Sequence, residues 1–175
     1  MSENATQVIV GVGEFLAHAL ELETEAAERY RELADSMEVH HNPQVAELFQ
    51  SMAVYSDEHA AEVRTRTQGL EIPEIAPWDF KWSCPESPEA PCMEDVNYLM
   101  TPRQALGLAL HNEIRGRDFY AQVAVESPDQ SVRLIAQEMA EEESGHVRQL
   151  ELWIARMSDA AEVAPEDLDP PNMPE

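Results

Sequence analysis

Apolar side chains recur at three- and four-residue steps along four stretches of this chain, and that spacing predicts four amphipathic helices. In the first, about 13–37, Phe15, Leu16, Ala19, Ala26, Tyr30, Leu33, Ala34 and Met37 form one stripe, uninterrupted by glycine or proline after Gly13. In the second, about 43–67, Val45, Leu48, Phe49, Met52, Ala53, His59, Ala60 and Val63 share a face. Pro43 suits its first turn and Gly69 its C-terminal stop. The third, about 102–126, opens with Thr101 as cap and Pro102 at the first position, and Ser127-Pro128 ends it. The fourth, about 129–157, runs on Val132, Ile135, Ala136, Met139, Ala140, His146, Val147, Leu150 and Ile154.

The crossover 68–101 differs in character. Pro73, Pro77, Pro85, Pro88 and Pro91 exclude a long helix there. Trp78, Phe80 and Trp82 give it side chains to bury, so the expectation is a packed connection. A long connection at mid-chain is what joins two antiparallel helix hairpins into one four-helix bundle. Residues 1–158 therefore read as a single all-α domain with a loose lead-in, and 159–175 as an acidic, proline-rich tail.

The two hairpins repeat each other. Around 140 the chain reads M-A-E-E-E-S-G-H, ending at His146, and around 53 it reads M-A-V-Y-S-D-E-H, ending at His59. Setting the histidines together also aligns Met139 with Met52, Ile135 with Leu48 and Val132 with Val45. On the preceding helices, Glu23 with Tyr30 matches Glu113 with Tyr120. This pairing selects Glu23 over Glu21 and Glu25, which sit about 200° round the helix on the opposite face.

A Glu-x-x-His on each of two helices plus a glutamate on each of two others is the ligand set of a carboxylate-bridged dimetal site. Glu143 and His146, one turn apart, can reach a central ion together. Glu23 and Glu113 would enter from the facing helices, and Tyr30 and Tyr120, about two turns further on, could hydrogen-bond ligand carboxylates. In the first copy His59 is present, but Ser56 stands where the glutamate belongs. Carboxylate oxygen and imidazole nitrogen together suit iron. His18, His40, His41 and His111 do not fit the pattern and read as structural.

Composition narrows the alternatives. The formal net charge is −24 and Lys81 is the single lysine, a surface that repels phosphate backbones and draws in cations. No apolar run is long enough to span a bilayer and no basic-then-apolar leader opens the chain, so the expectation is a cytoplasmic location with no membrane partner. Cys84 and Cys92 are too few for a four-thiolate centre; a disulfide between them is open but not implied, a reducing compartment being the simpler reading.

The A-x-x-E-x-x-H element of the fourth helix and its counterpart in the second resemble the rubrerythrin family of ferritin-like proteins, over about 13–157. The resemblance implies a ferritin-like bundle with two non-haem irons, and metal-ligand roles for Glu23, His59, Glu113, Glu143 and His146. It also implies reaction with hydrogen peroxide or dioxygen while ferrous iron is oxidised. The chain departs from the family in three places: no rubredoxin-like four-cysteine domain, Gly116 where a further glutamate is common, and Ser56 in place of a bridging glutamate. Water or an exogenous anion is expected to complete the site, with the metal near Glu143 the better held. Two readings follow. One is a diiron oxidoreductase handling a small oxidant. The other is a non-catalytic metal-binding or structural bundle, holding one iron or zinc ion. A homodimer is expected by analogy with other duplicated bundles.

Overall fold

A computed structural model describes residues 8–82, 87–91 and 96–157. Four helices make up the fold: α1 (Val12–Val39), α2 (Pro43–Arg66), α3 (Pro102–Glu126) and α4 (Gln130–Arg156), with no strand among the described residues. Short turns join α1 to α2 and α3 to α4. Each hairpin packs chiefly within itself, and α2 meets α3 and α1 meets α4 across the bundle.

Local chemistry sets the helix ends. Thr101 and Gln104 form a capping box at α3, with Pro102 in the first turn. The Asp129 carboxylate accepts from the Ser131 and Val132 amides at α4. At the end of α1, His41 adopts φ 58°. There the Asn42 amide donates to Met37 O (2.8 Å) and the His41 amide to Glu38 O (3.1 Å), which satisfies the last carbonyls. The α1 helix thus runs two residues past Met37.

The core divides into two apolar clusters along the bundle. One holds Tyr30, Leu33, Met37, Val45, Phe49, Met52, Ala105, Ala109 and Leu150. The other holds Phe15, Leu16, Leu22, Val63, Tyr120, Val123, Val132, Ala136 and Met139. The duplication is visible here: repeat-related Tyr30 and Tyr120 fall in opposite clusters.

The crossover is tied to the bundle at several points. The His18 ring is fully buried on α1. Its Nδ1–H donates to Glu14 O (2.8 Å) and its Nε2 accepts the Lys81 amide (2.9 Å). Phe80, Trp82 and Phe119 surround it, and burial lowers its pKa, so the ring is neutral. Lys81 Nζ pairs with Glu14 and donates to Val8 O. Asn42 Nδ2 donates to Tyr98 O (3.1 Å) and Met100 O (2.9 Å). Gly13 allows the closest approach: a Cβ there would collide with the Glu71 carbonyl. One expectation fails. Trp78 is 83% exposed, because the short 3-10 turn Pro77–Asp79 carries it outward; Phe80 and Trp82 stack at 4.7 Å and supply the packing instead. Cys84, Cys92 and the tail lie outside the described residues.

Candidate metal centre

Between the two apolar clusters lies a polar layer to which every helix contributes. Glu23, Glu113 and Glu143 are buried on α1, α3 and α4, and His59 and His146 are half-buried on α2 and α4. Both rings turn Nδ1 toward the carboxylates. His146 Nδ1 lies 2.9 Å from Glu143 Oε2 and 3.4 Å from Glu113 Oε2, and His59 Nδ1 lies 3.5 Å from Glu23 Oε2. The rings stack with centroids 4.4 Å apart and planes 10° from parallel. Two repeat-related Glu–His pairs therefore face each other across the layer.

A fourth carboxylate joins them, from outside the helices. Glu89 in the crossover is 3% exposed. Oxygens of Glu23, Glu89 and Glu143 lie within 4.8 Å of one another, as do donor atoms of His59, Glu143 and His146. Glu143 belongs to both groups. Metal–donor bonds of about 2.0–2.2 Å put two donors of one ion at most roughly 4.4 Å apart, so each group closes on an ion after a small inward movement.

The layer fits a cation better than it fits itself. Glu89 Oε1 and the Tyr120 hydroxyl are buried without a hydrogen-bond partner, and Glu23 Oε2 and Glu113 Oε2 are met only by a histidine Nδ1, at 3.5 and 3.4 Å. Unpaired carboxylates in a core are strongly unfavourable. The guanidinium nearest the mouth, Arg66, is held by Glu138 and Glu142 at 3.1 Å each. A cavity of about 110 Å³, lined by Glu23, His59, Glu62, Arg66, Glu142 and His146 among others, leads to the layer.

Without a cation, protons take up the strain. Burial, opposed by the His146 hydrogen bond and reinforced by the Glu113 charge, pushes Glu143 up to about 8. Hydrogen bonds to Glu113 and Glu143 push His146 up to about 10 against burial. Burial raises Glu23 and, more strongly, Glu89, which has three carboxylates around it. For His59, burial favours the neutral ring, but bonding to Glu23 outweighs it and the net shift is upward. Glu113 goes the other way: burial is outweighed by hydrogen bonds from His146 and Glu143, and its pKa falls.

Ser56 is buried on α2, one turn before His59, and offers a hydroxyl only. Its neighbours do not replace it: Asp57 turns outward to pair with Arg31, and Glu58 is exposed. Neither tyrosine hydroxyl is hydrogen-bonded to a ligand carboxylate. Tyr30 accepts from Asn112 Nδ2 (3.1 Å), and Tyr120 has no partner. Burial first, then the surrounding carboxylate charges, raises both phenol pKa values, so both stay neutral. Buried Asn112 is invisible to the repeat. So is Glu89, whose sequence signal is indirect: Gly116 leaves a gap on the ligand face, one turn past Glu113.

Four helices in two hairpins around a carboxylate–imidazole layer define a ferritin-like bundle. The Rubrerythrin family profile matches residues 14–79. The crystal structure of an uncharacterised conserved protein from Magnetospirillum magnetotacticum MS-1 is 42% identical, with a TM-score of 0.64, over 87% of this chain and 99% of that one. None of the curated proteins compared matches the chain. The chain belongs to the rubrerythrin family.

Proposed function

We propose that the chain holds non-haem iron, as a dinuclear centre, and reacts with hydrogen peroxide or dioxygen as ferrous iron is oxidised. One observation carries this reading: four buried carboxylates and two imidazoles converge on one layer, with Glu89 Oε1 left unpartnered and the Glu23 and Glu113 oxygens met only by imidazole nitrogens. The donor set is all oxygen and imidazole nitrogen with no thiolate, which suits ferrous iron and does not select a soft metal. Glu23 with His59 would hold one ion, Glu113 with His146 the other, and Glu143 would lie between them. Iron there would supply electrons one per ion, two for each peroxide reduced to water.

The chain's own residues do the rest. The cavity of about 110 Å³ beside Glu62, Arg66 and Glu142 has room for a molecule the size of peroxide. The two apolar clusters exclude bulk water from either side of the layer. The protons held on Glu143 and His146 in the metal-free protein are displaced when ions bind. Purified chain is expected to carry two ions, and its anaerobic ferrous form to change absorbance within seconds of adding peroxide. A buried serine at position 56 favours a second reading, a bundle that binds metal without turnover. Metal bound with no absorbance change toward peroxide or dioxygen would select it.

A further inference from the structure

We propose that Glu89, carried on the crossover, is itself a ligand of this centre, entering through the space left by Gly116 and supplying the carboxylate that Ser56 lacks. This rests on the dimetal reading above and deepens it.

Four observations converge. First, Glu89 is 3% exposed and its Oε1 has no hydrogen-bond partner, so a neutral carboxyl tied into the fold does not account for it. Second, among the described residues the charges that act on it are the carboxylates of Glu23, Glu143 and Glu113. Third, its side chain occupies the surface of α3 where a ligand-bearing residue would otherwise stand. A Cβ at position 116 would fall 2.6 Å from Glu89 Cδ and 2.7 Å from its Cγ, so any side chain there would displace the glutamate from its present place. Fourth, the segment is fixed. The Ser87 amide donates to Glu25 Oε2 (3.2 Å), the Ala90 amide closes a turn onto Ser87 O (3.2 Å), and Pro88 and Pro91 are buried on either side.

Charge agrees with geometry. Glu23, Glu113 and Glu143 with two neutral imidazoles would leave a pair of divalent ions one positive charge in excess. With Glu89 the four carboxylates balance two divalent ions. A bridge lost from α2 is thus made up by a residue from a different element, and no outside anion is required. The oxygens of Glu89 lie near those of both Glu23 and Glu143, which places the carboxylate on the side of the Glu23 ion.

The test is anaerobic titration of the metal-free chain with ferrous iron, read by calorimetry, beside thermal melting of the metal-free protein. Wild type is expected to bind two ions. Glu89→Gln is expected to weaken the second ion at least about tenfold, the lower end of what even an outer-shell partner contributes, while its metal-free form melts no lower than wild type. Gly116→Ala, which alters no donor and improves the helix, is expected to weaken the same ion by displacing Glu89. Two ions at wild-type affinity in both variants would overturn the proposal and leave the dimetal reading standing. A marked fall in the metal-free melting temperature of Glu89→Gln with unchanged affinity would make Glu89 structural and also overturn it. A wild-type chain that binds no ferrous iron would overturn both.

Discussion

At the scale of single residues, the donors are not equivalent, and Glu143 stands apart. It is the one carboxylate shared by the two donor groups, at 2.9 Å from His146 and within reach of His59, Glu23 and Glu89. Glu143→Gln should therefore weaken both ions, whereas Glu23→Gln should weaken one; ferrous titration of the two variants distinguishes them, and equal losses would refute the shared role. Ser56 gives a prediction of opposite sign to Glu89. A glutamate at that buried position would add a fifth carboxylate to a layer that has no fixed cation. The metal-free Ser56→Glu protein should lose about 1–3 kcal/mol of stability, the usual penalty for a buried unpaired polar group, as read by urea unfolding with metal chelated. The repeat makes both positions readable without coordinates, because superposing one hairpin on the other isolates Glu23, Glu113 and Ser56 among many acidic neighbours.

At the scale of elements, the helices were readable and the crossover was not. Amphipathic periodicity locates α1 to α4 because a buried stripe demands it. The crossover has no period to follow: its prolines exclude helix but do not say which side chains turn inward. Hence Trp78, one of two tryptophans of the segment, lies in solvent, while the acidic Glu89 is in the core. What holds the first part of the crossover down is His18, a residue with no ligand pattern around it. Its two hydrogen bonds reach α1 and the Lys81 amide, and its ring fills a nest of aromatic side chains. His18→Phe keeps most of the packing but leaves the Lys81 amide without its acceptor. It should destabilise the fold by about 1–3 kcal/mol. Faster proteolysis between Arg66 and Met100, with the hairpins still helical by circular dichroism, would trace the loss to the crossover. An unchanged cleavage rate would deny His18 this role.

At the scale of the whole molecule, the polar layer couples folding, protons and metal. In the metal-free protein Glu143 is pushed up to about 8 and His146 to about 10, and Glu23, Glu89 and His59 are also raised. Each of these groups keeps a proton in the folded state that the unfolded chain has released. Stability from Glu143 is full below the unfolded carboxyl range and is lost as pH climbs to about 8; that from His146 is lost between the ordinary imidazole range and about 10. Within the layer Glu113 alone has the opposite sign, complete once the solution is above the usual carboxylate range; outside it the buried, neutral His18 shares that sign up to the ordinary imidazole range, against the larger number of raised groups. The metal-free melting temperature should therefore fall steadily from pH 5 to pH 9, by roughly 2–4 °C for each kcal/mol lost in a chain of this size. The net charge of −24 pushes the same way through self-repulsion. Glu143→Gln separates the two contributions, since it should flatten the slope below pH 8 while barely changing the surface. Bound cations reverse the relation. They hold the same donors deprotonated in the native state, so the unfolded chain becomes the one that takes up protons as pH falls, and stability rises with pH. Calorimetric melting of the chelated and the iron-loaded protein across that range should give slopes of opposite sign. Parallel slopes would mean that the ions bind somewhere other than this layer.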